Sequence, residues 1–407
     1  MTDVYTAVVV QPEVGVCASV DDVRRNLARI VSIIGSSEIA RRGVFNVSTR
    51  PESWEAEPWA PVRLVAFPEL SLNLPASFFG KTQCRDLVEK VCIEIPGPET
   101  EALGAVCRDR GFWLVCGAYE RVAEIPGTAF NCTFLVSPEG VVIAKAHKVN
   151  PYIPVEQCAT SPHDVLERYL EVFGAPGKSA LETLFPVART EIGNIGMLTC
   201  NDGLYPENWR ALCLNGAEVI VHGNLPEPFA SPPHDWRLSF ARSSAVANMC
   251  YVVSPSYGTK LGDGVIKFAT GGANGSFVVD PEGVVLSQVP YPGEAITSAV
   301  IRLDHLRRRR YDPGAVNFIS HLRSDLYRTM YDRQIYPRDL LAGEPVAGHA
   351  DRARRDVAAL GVLETLTQRG VLTAPDVRAA PSAHLADAVR LEEPQKEEVG
   401  SGEYHES

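Results

Sequence analysis

Two hydrophobic periods alternate along the chain from Tyr5 to about Leu303. YTAVVVQPEV opens as a continuous apolar run, the pattern of a strand covered on both faces. In the next stretch, SVDDVRRNLARIVSII, the residues Val20, Val23, Leu27, Ile30, Val31 and Ile34 share one helical stripe, and Ser19 and Asp22 have the spacing of a capping box. VRLVAF at 62–67 is again apolar throughout and runs into Pro68-Glu69. FWLVCGAYE, NCTFLVSP and VVIAKAHK follow as strands. Beyond position 200 the pattern predicts the helix ENWRALCLNG, the strand AEVIVHGN, a helix around DWRLSFARSSAVANM and the strand CYVVSPSYG. Apolar strands alternating with helices predict an α/β fold whose sheets are covered by helices.

One internal echo refines this. FLVSPEGVVIAK (134–145) and FVVDPEGVVLSQ (277–288) are nearly the same strand-turn-strand unit, each turning on Pro-Glu-Gly. Two such hairpins suggest two similar halves, each with its own sheet, and hence a four-layer sandwich of helices, sheet, sheet, helices. Chance recurrence of a turn sequence is the alternative. Past Leu303 the pattern loosens. Residues 1–303 are expected to form the main domain and 304–377 an arm or extension making oligomer contacts. The polar, acidic stretch 378–407 is expected to be disordered, and 40–61 reads as a surface loop.

Composition narrows the function. With 407 residues and 45% hydrophobic content, the chain can bury a large core. A net charge of −11 argues against nucleic acid as a partner. The one basic cluster, Arg307 to Arg310, reads as a solvated helix face or an interface, such as an arm meeting an acidic neighbour. There is no basic-then-apolar leader pattern and no apolar run of membrane-spanning length, so no membrane partner and a cytoplasmic location are expected. The ten cysteines are scattered and never spaced CxxC, which signals neither a metal knuckle nor a redox pair. Most should be buried as small hydrophobes.

Chemistry then singles out three residues at strand ends. Cys200 follows the strand GMLT, and a cysteine nucleophile needs a base to take its proton. No histidine lies in a recognisable Cys/His signature, but a partly desolvated carboxylate can serve. Glu69 ends the strand in VAFPELSL. Lys148 ends VVIAKAHK, where an ammonium can stabilise an oxyanion together with the backbone N–H after the cysteine. Taken singly, each has a plain structural reading: a turn glutamate, an edge lysine, a packing cysteine.

Taken together, these segments resemble the nitrilase superfamily of carbon–nitrogen hydrolases. FPELSL is similar to the motif of the family's base and places it on Glu69. AKAHKVNP is similar to the lysine motif and points to Lys148 rather than Lys145. GMLTCNDGLYPENWRALCLNGAEVIV is similar to the nucleophile motif, with Cys200 as nucleophile. The resemblance covers most of residues 5–303 and implies a Glu-Lys-Cys triad on an α-β-β-α sandwich, no cofactor and no metal. CNDGLYPENWR is closest to the aliphatic amidase and formamidase branch, and somewhat like the N-carbamoyl amino acid amidohydrolases. HKVNPYIPVEQ resembles the segment carrying a second glutamate, here Glu156, which positions substrate and assists proton transfer. Candidates for the substrate side are Asn201, Tyr119, Tyr205, Asn224 and Trp236.

The resemblance thus implies hydrolysis of a small non-peptide amide to carboxylic acid and ammonia (or amine) through a thioester, by a homodimer or larger homo-oligomer. A carbamoyl hydrolase and a catalytically silent scaffold are the alternatives. The chain departs from the family where Ala247-Asn248 and Asn274-Gly275-Ser276 replace its usual residues, and in a longer segment between Glu156 and Cys200. In that segment Leu166, Tyr169, Leu170 and Phe173 form an apolar helical stripe, which reads either as packing on its own subunit or as a lid.

Overall fold

The computed structural model describes residues 3–36, 38–39, 60–75, 84–152, 156, 158–225, 235–257, 260–261, 266–267, 275–290, 293–314, 317–342 and 349–374. Apart from Ala60 and Pro61, the loop expected at 40–61 lies outside these residues, as does the tail expected to be disordered at 378–407. Contacts divide the chain into two units, Met1–Asp356 and Val357–Ser407. The first carries both sheets. The second contributes, among the described residues, the C-terminal part of the helix His349–Gln368.

The first sheet is built from β1 (Val4–Gln11), β2 (Val62–Ala66), β3 (Trp113–Glu120), β4 (Phe130–Val136) and β5 (Val142–His147). The second is built from β6 (Val187–Thr190), β7 (Gly193–Thr199), β8 (Val219–Gly223), β9 (Tyr251–Ser254), β12 (Phe277–Val279) and β13 (Val285–Gln288); β10 (Lys260–Leu261) and β11 (Ile266–Lys267) form a separate pair. A last strand, β14 (Ala295–Arg302), returns to the first sheet. Its order is β14-β1-β2-β3-β4-β5, with β1, β2 and β3 parallel and the rest antiparallel. The second sheet repeats this plan as β6-β7-β8-β9-β12-β13, with β7, β8 and β9 parallel. The two Pro-Glu-Gly hairpins, β4–β5 and β12–β13, occupy equivalent places in the two halves. Each turns on a glycine in the left-handed region, Gly140 at φ +79° and Gly283 at φ +76°.

Side-chain alternation creates the four layers. Along β1, Tyr5, Ala7 and Val9 join a core that also holds Ile195, Met197, Val219, Val221 and Val253 of the second sheet. Val8 and Val10 point the other way, into a cluster with Val23, Ile30 and Leu103 of the helices Val20–Ile34 and Pro98–Arg110. On the far side Ile220 and Val252 pack with Trp209, Leu212, Ala241 and Ala245 of the helices Pro206–Leu214 and Trp236–Asn248. Every central strand is therefore buried on both faces, which is why its sequence is continuously apolar. The first helix starts at Ser19, whose hydroxyl accepts the Asp22 N–H at 3.4 Å, while the Asp22 carboxylate reaches back to the Ala18 N–H at 3.0 Å.

Two features add to the sequence reading. Cys84 and Cys158 form a disulfide, with Cα atoms 5.1 Å apart, that ties the helix Cys84–Lys90 to the segment just beyond Glu156. Their 74-residue separation gave no sequence signal. The arginine run forms a helix face, the first of the two readings of it. On the helix Leu303–Tyr311, Arg307 pairs with Glu218 and Asp3, Arg308 with Asp304, and Arg309 with Glu282. Arg310 donates to the carbonyls of Ala217, Asn248 and Met249. Leu303 and Leu306 bury the same helix in the inter-sheet core, so the run is a helix face paired within its own chain. Among the described residues no helix is long and apolar enough to cross a membrane.

Candidate active site

Glu69 follows β2, Lys148 follows β5 and Cys200 follows β7, so three strand ends from both sheets converge. The backbone at Glu69 is wedged between the sheets. A Cβ at Gly117 would stand 2.7 Å from the Leu70 nitrogen, and one at Gly223 would stand 3.0 Å from the Glu69 nitrogen. Those two glycines let the turn approach both sheets, and Leu70 takes the left-handed conformation (φ +54°) to make it. The Tyr257 hydroxyl donates to the Glu69 carbonyl at 2.5 Å.

The side chains meet in a buried cluster. Lys148 Nζ donates to Glu69 Oε1 at 2.8 Å and to Glu156 Oε2. Asn131 Nδ2 bridges the same two carboxylates, reaching Glu69 Oε1 at 2.7 Å and Glu156 Oε1 at 2.8 Å. Glu156 also accepts the Tyr119 hydroxyl at 3.2 Å and the Tyr152 N–H at 2.6 Å. Glu69 Oε2, by contrast, is buried without a hydrogen-bond partner. Burial raises the Glu69 carboxyl above its ordinary range against the pull of Lys148, and Glu156 adds to the rise. Burial alone would push Lys148 down, but the charges of Cys200, Glu156 and Glu69 outweigh it and hold the ammonium well above its ordinary value. The lysine is thus a fixed cation, while one carboxylate oxygen is left available to take up a proton.

Cys200 opens a 3-10 turn, Cys200–Leu204, in the left-handed conformation (φ +48°). It is half-buried, whereas the other free cysteines are buried. The turn is clamped to the loop after Lys148. The Asp202 carboxylate accepts the N–H groups of Val149 (3.3 Å) and Asn150 (2.7 Å), and Asn201 Nδ2 donates to the Asn150 carbonyl at 3.0 Å. Asn208 Nδ2 completes the clamp on Asn150 Oδ1 at 3.0 Å. Burial pushes Asp202 from 3.8 up to about 7. Just before the turn, the hydroxyls of Thr133 and Thr199 meet at 2.8 Å across the two sheets.

The remaining expected residues spread more widely. Tyr119 is fully buried beneath Glu156. The Asn201 side chain is engaged by the loop, as described. Asn224 is buried and donates to the His222 carbonyl and Ser254 Oγ. Tyr205 and Trp236 are exposed at the starts of their helices. Sequence reasoning missed Asn131, whose only signal is an amide side chain in a mostly apolar strand. It also missed His222, which donates from Nε2 to the Cys200 carbonyl at 2.9 Å.

A second buried group lies one residue before the lysine. His147 pairs with Glu120 at 2.6 Å and with the Tyr169 hydroxyl at 2.9 Å, and Lys145 also pairs with Glu120. Burial would raise Glu120, but His147 and Lys145 outweigh it and hold the carboxyl below its ordinary range. Glu120, Cys132 and His147 bring three donor atoms within 4.8 Å. Both Glu120 oxygens are already committed, one to the Lys145 ammonium and one to the His147 ring.

The family model for carbon-nitrogen hydrolases matches residues 8–311. The chain belongs to that family. A formamidase of Bacillus cereus (strain Q1) is 25% identical over 250 residues, 61% of each chain, so the match spans about three fifths of that relative. A carbon-nitrogen hydrolase from Helicobacter pylori G27 has a TM-score of 0.57 at 20% identity, over 82% of this chain and 99% of its own. An amidase from Nesterenkonia sp. AN1, with the acetamide moiety of fluoroacetamide added covalently at its active-site cysteine, has a TM-score of 0.52 at 18% identity, over 80% and 96%. The α-β-β-α sandwich is the fold shared with these nitrilase-superfamily neighbours.

Proposed function

We propose that this chain is a cysteine-dependent amidohydrolase that cleaves a small non-peptide amide to a carboxylic acid and ammonia. The observation that carries the reading is the buried Lys148 ammonium spanning Glu69 and Glu156 while Glu69 Oε2 stays without a partner. Glu69 Oε2 takes the Cys200 thiol proton, and the sulfur attacks the amide carbon. Lys148 and the Asn201 N–H hold the oxyanion. The C–N bond then breaks as Glu69 returns the proton to the departing nitrogen, leaving a thioester on Cys200. Water gives a proton to Glu69 and its oxygen to the acyl carbon, and the C–S bond breaks as Glu69 passes that proton to the sulfur, restoring the thiol and the free carboxylate. Glu156 keeps Lys148 in place and assists in positioning substrate. The formamidase relative and the fluoroacetamide adduct of the Nesterenkonia amidase support an amide as substrate and a cysteine as nucleophile.

Ammonia release from small amides, carbamoyl amino acids and nitriles tests this, with intact-mass analysis of quenched mixtures. An acyl adduct on Cys200 and turnover of amides are expected, and Cys200→Ala should abolish both in a folded protein. Turnover by Cys200→Ala would overturn the mechanism, and activity confined to carbamoyl compounds would move the substrate class. We further propose that the chain works as a homo-oligomer. The apolar side chains of Leu214, Phe318, Leu322, Tyr327 and Met330 line an open groove of about 1070 Å³ beside the helices Pro206–Leu214 and Trp236–Asn248, a surface that a second copy would cover.

A further inference from the structure

The nucleophile turn is held by a histidine that the mechanism above does not use. His222 lies on β8, 1% exposed, and its Nε2 is 2.9 Å from the Cys200 carbonyl oxygen. A carbonyl can only accept, so Nε2 carries the ring proton and Nδ1 the lone pair. Nδ1 is buried with no hydrogen-bond partner. Burial, with help from Arg237 and Lys148, pushes the imidazole down to about 3, so it stays a neutral single donor through the working range of pH. The ring has a purpose-shaped seat. A Cβ at Gly203 would lie 2.2 Å from its Cε1, so only glycine leaves room there. Trp209 meets the ring edge-on at 5.2 Å and locks the turn by donating Nε1 to the Gly203 carbonyl at 2.9 Å.

The bond matters because of where it acts. In a trans peptide the C=O and the following N–H point to opposite sides of one rigid plane. Drawing the Cys200 carbonyl toward β8 therefore turns the Asn201 N–H away from β8. Cys200 holds a left-handed φ that a non-glycine residue adopts only when its surroundings impose it. The Asn201 side chain, tied to the Asn150 carbonyl, braces the same peptide from its other end.

We propose that His222 is a positioning residue for the oxyanion site: its Nε2–H bond to the Cys200 carbonyl sets the peptide plane that aims the Asn201 N–H at the developing oxyanion. The assignment rests on the amidase reading above. It is tested by comparing amide hydrolysis with alkylation of Cys200 by iodoacetamide, a displacement at saturated carbon that develops no oxyanion. His222→Phe keeps the ring and removes the donor, whereas His222→Gln restores an N–H at about the same reach. The phenylalanine variant should lose kcat by on the order of 10²-fold, the scale of one oxyanion donor, with KM little changed. Its Cys200 should alkylate at close to the wild-type rate, and glutamine should recover most of the kcat.

Wild-type kcat in His222→Phe would overturn the assignment. So would a parallel loss of alkylation and hydrolysis, which would mark a general collapse of the turn, or a glutamine no better than phenylalanine. If the phenylalanine variant does not fold, His222→Asn, whose amide is too short to reach the carbonyl, replaces it in the comparison with glutamine and is read in the same way. A wild type that alkylates but hydrolyses no amide would instead sink the amidase reading, and this inference with it.

Discussion

Asn131 shows how much the site depends on residues that carry no chemistry of their own. Its amide donates to both Glu69 and Glu156, so two carboxylates can sit beside one ammonium without facing each other bare. Replacing it with the similarly sized Asn131→Leu leaves both oxygens short of a donor. The expected result is a fall in kcat on the order of 10²-fold, with Cys200 still open to alkylation. Unchanged turnover would show the lysine to be enough by itself. Asp202 makes a separate prediction about pH. Burial lifts its carboxyl from 3.8 to about 7, so the folded chain keeps a proton that the unfolded chain releases. The stability this contributes is complete below about pH 3.8 and is lost as pH rises through about 7. Urea melts at pH 5 and pH 8 should therefore show Asp202→Asn gaining relative to wild type at the higher pH. An equal difference at both values would mean that the carboxyl ionises normally in the fold.

Among elements, the helix Leu166–Phe173 is the clearest case of a pattern with two readings. Its stripe is real: Tyr169 is buried, and its ring lies 4.6 Å from Phe173, 5.6 Å from His147 and 5.8 Å from Phe130. The helix thus packs on its own unit, behind the histidine that precedes Lys148. Tyr169→Ala should cost about 3–5 kcal/mol of stability, as for other large aromatic truncations, while the order of kcat/KM across an amide series stays the same. A reordered series in a folded variant would make the helix part of the pocket instead. The disulfide from Cys84 to Cys158 and the Asp202 clamp belong to the same scale, since both tie the Lys148–Glu156 region to neighbouring elements. Neither could be read from spacing, because each joins residues more than fifty positions apart.

At the scale of the whole molecule, the two sheets repeat one plan, and the reacting groups come from both. Glu69 and Lys148 leave the first sheet and Cys200 the second, so the site forms only when the halves pack. The proposed assembly is tested by sedimentation. The 407-residue chain has a mass of 44.3 kDa, and a species of at least twice that is expected at micromolar concentration. Substituting Met330 or Tyr327 with aspartate should shift the equilibrium toward the single chain. A wild type that sediments only as a single chain would remove the oligomer from the proposal.

The sequence by itself determined the architecture and the family. Apolar runs such as YTAVVV and VRLVAF mark strands buried on both faces, the two Pro-Glu-Gly hairpins announced a repeated half, and the motifs around Glu69, Lys148 and Cys200 pointed to carbon–nitrogen hydrolysis. These are local signals, in which period, turn chemistry and short motifs are written in neighbouring residues. Tertiary structure alone decided that Asn131 bridges two carboxylates, that Cys84 finds Cys158, that Arg307 to Arg310 are paired within their own chain, and that His222 reaches the Cys200 carbonyl. Each of these joins residues distant in the chain, and hydrogen bonds, ion pairs and disulfides depend on angstrom-scale placement that residue type and spacing do not encode.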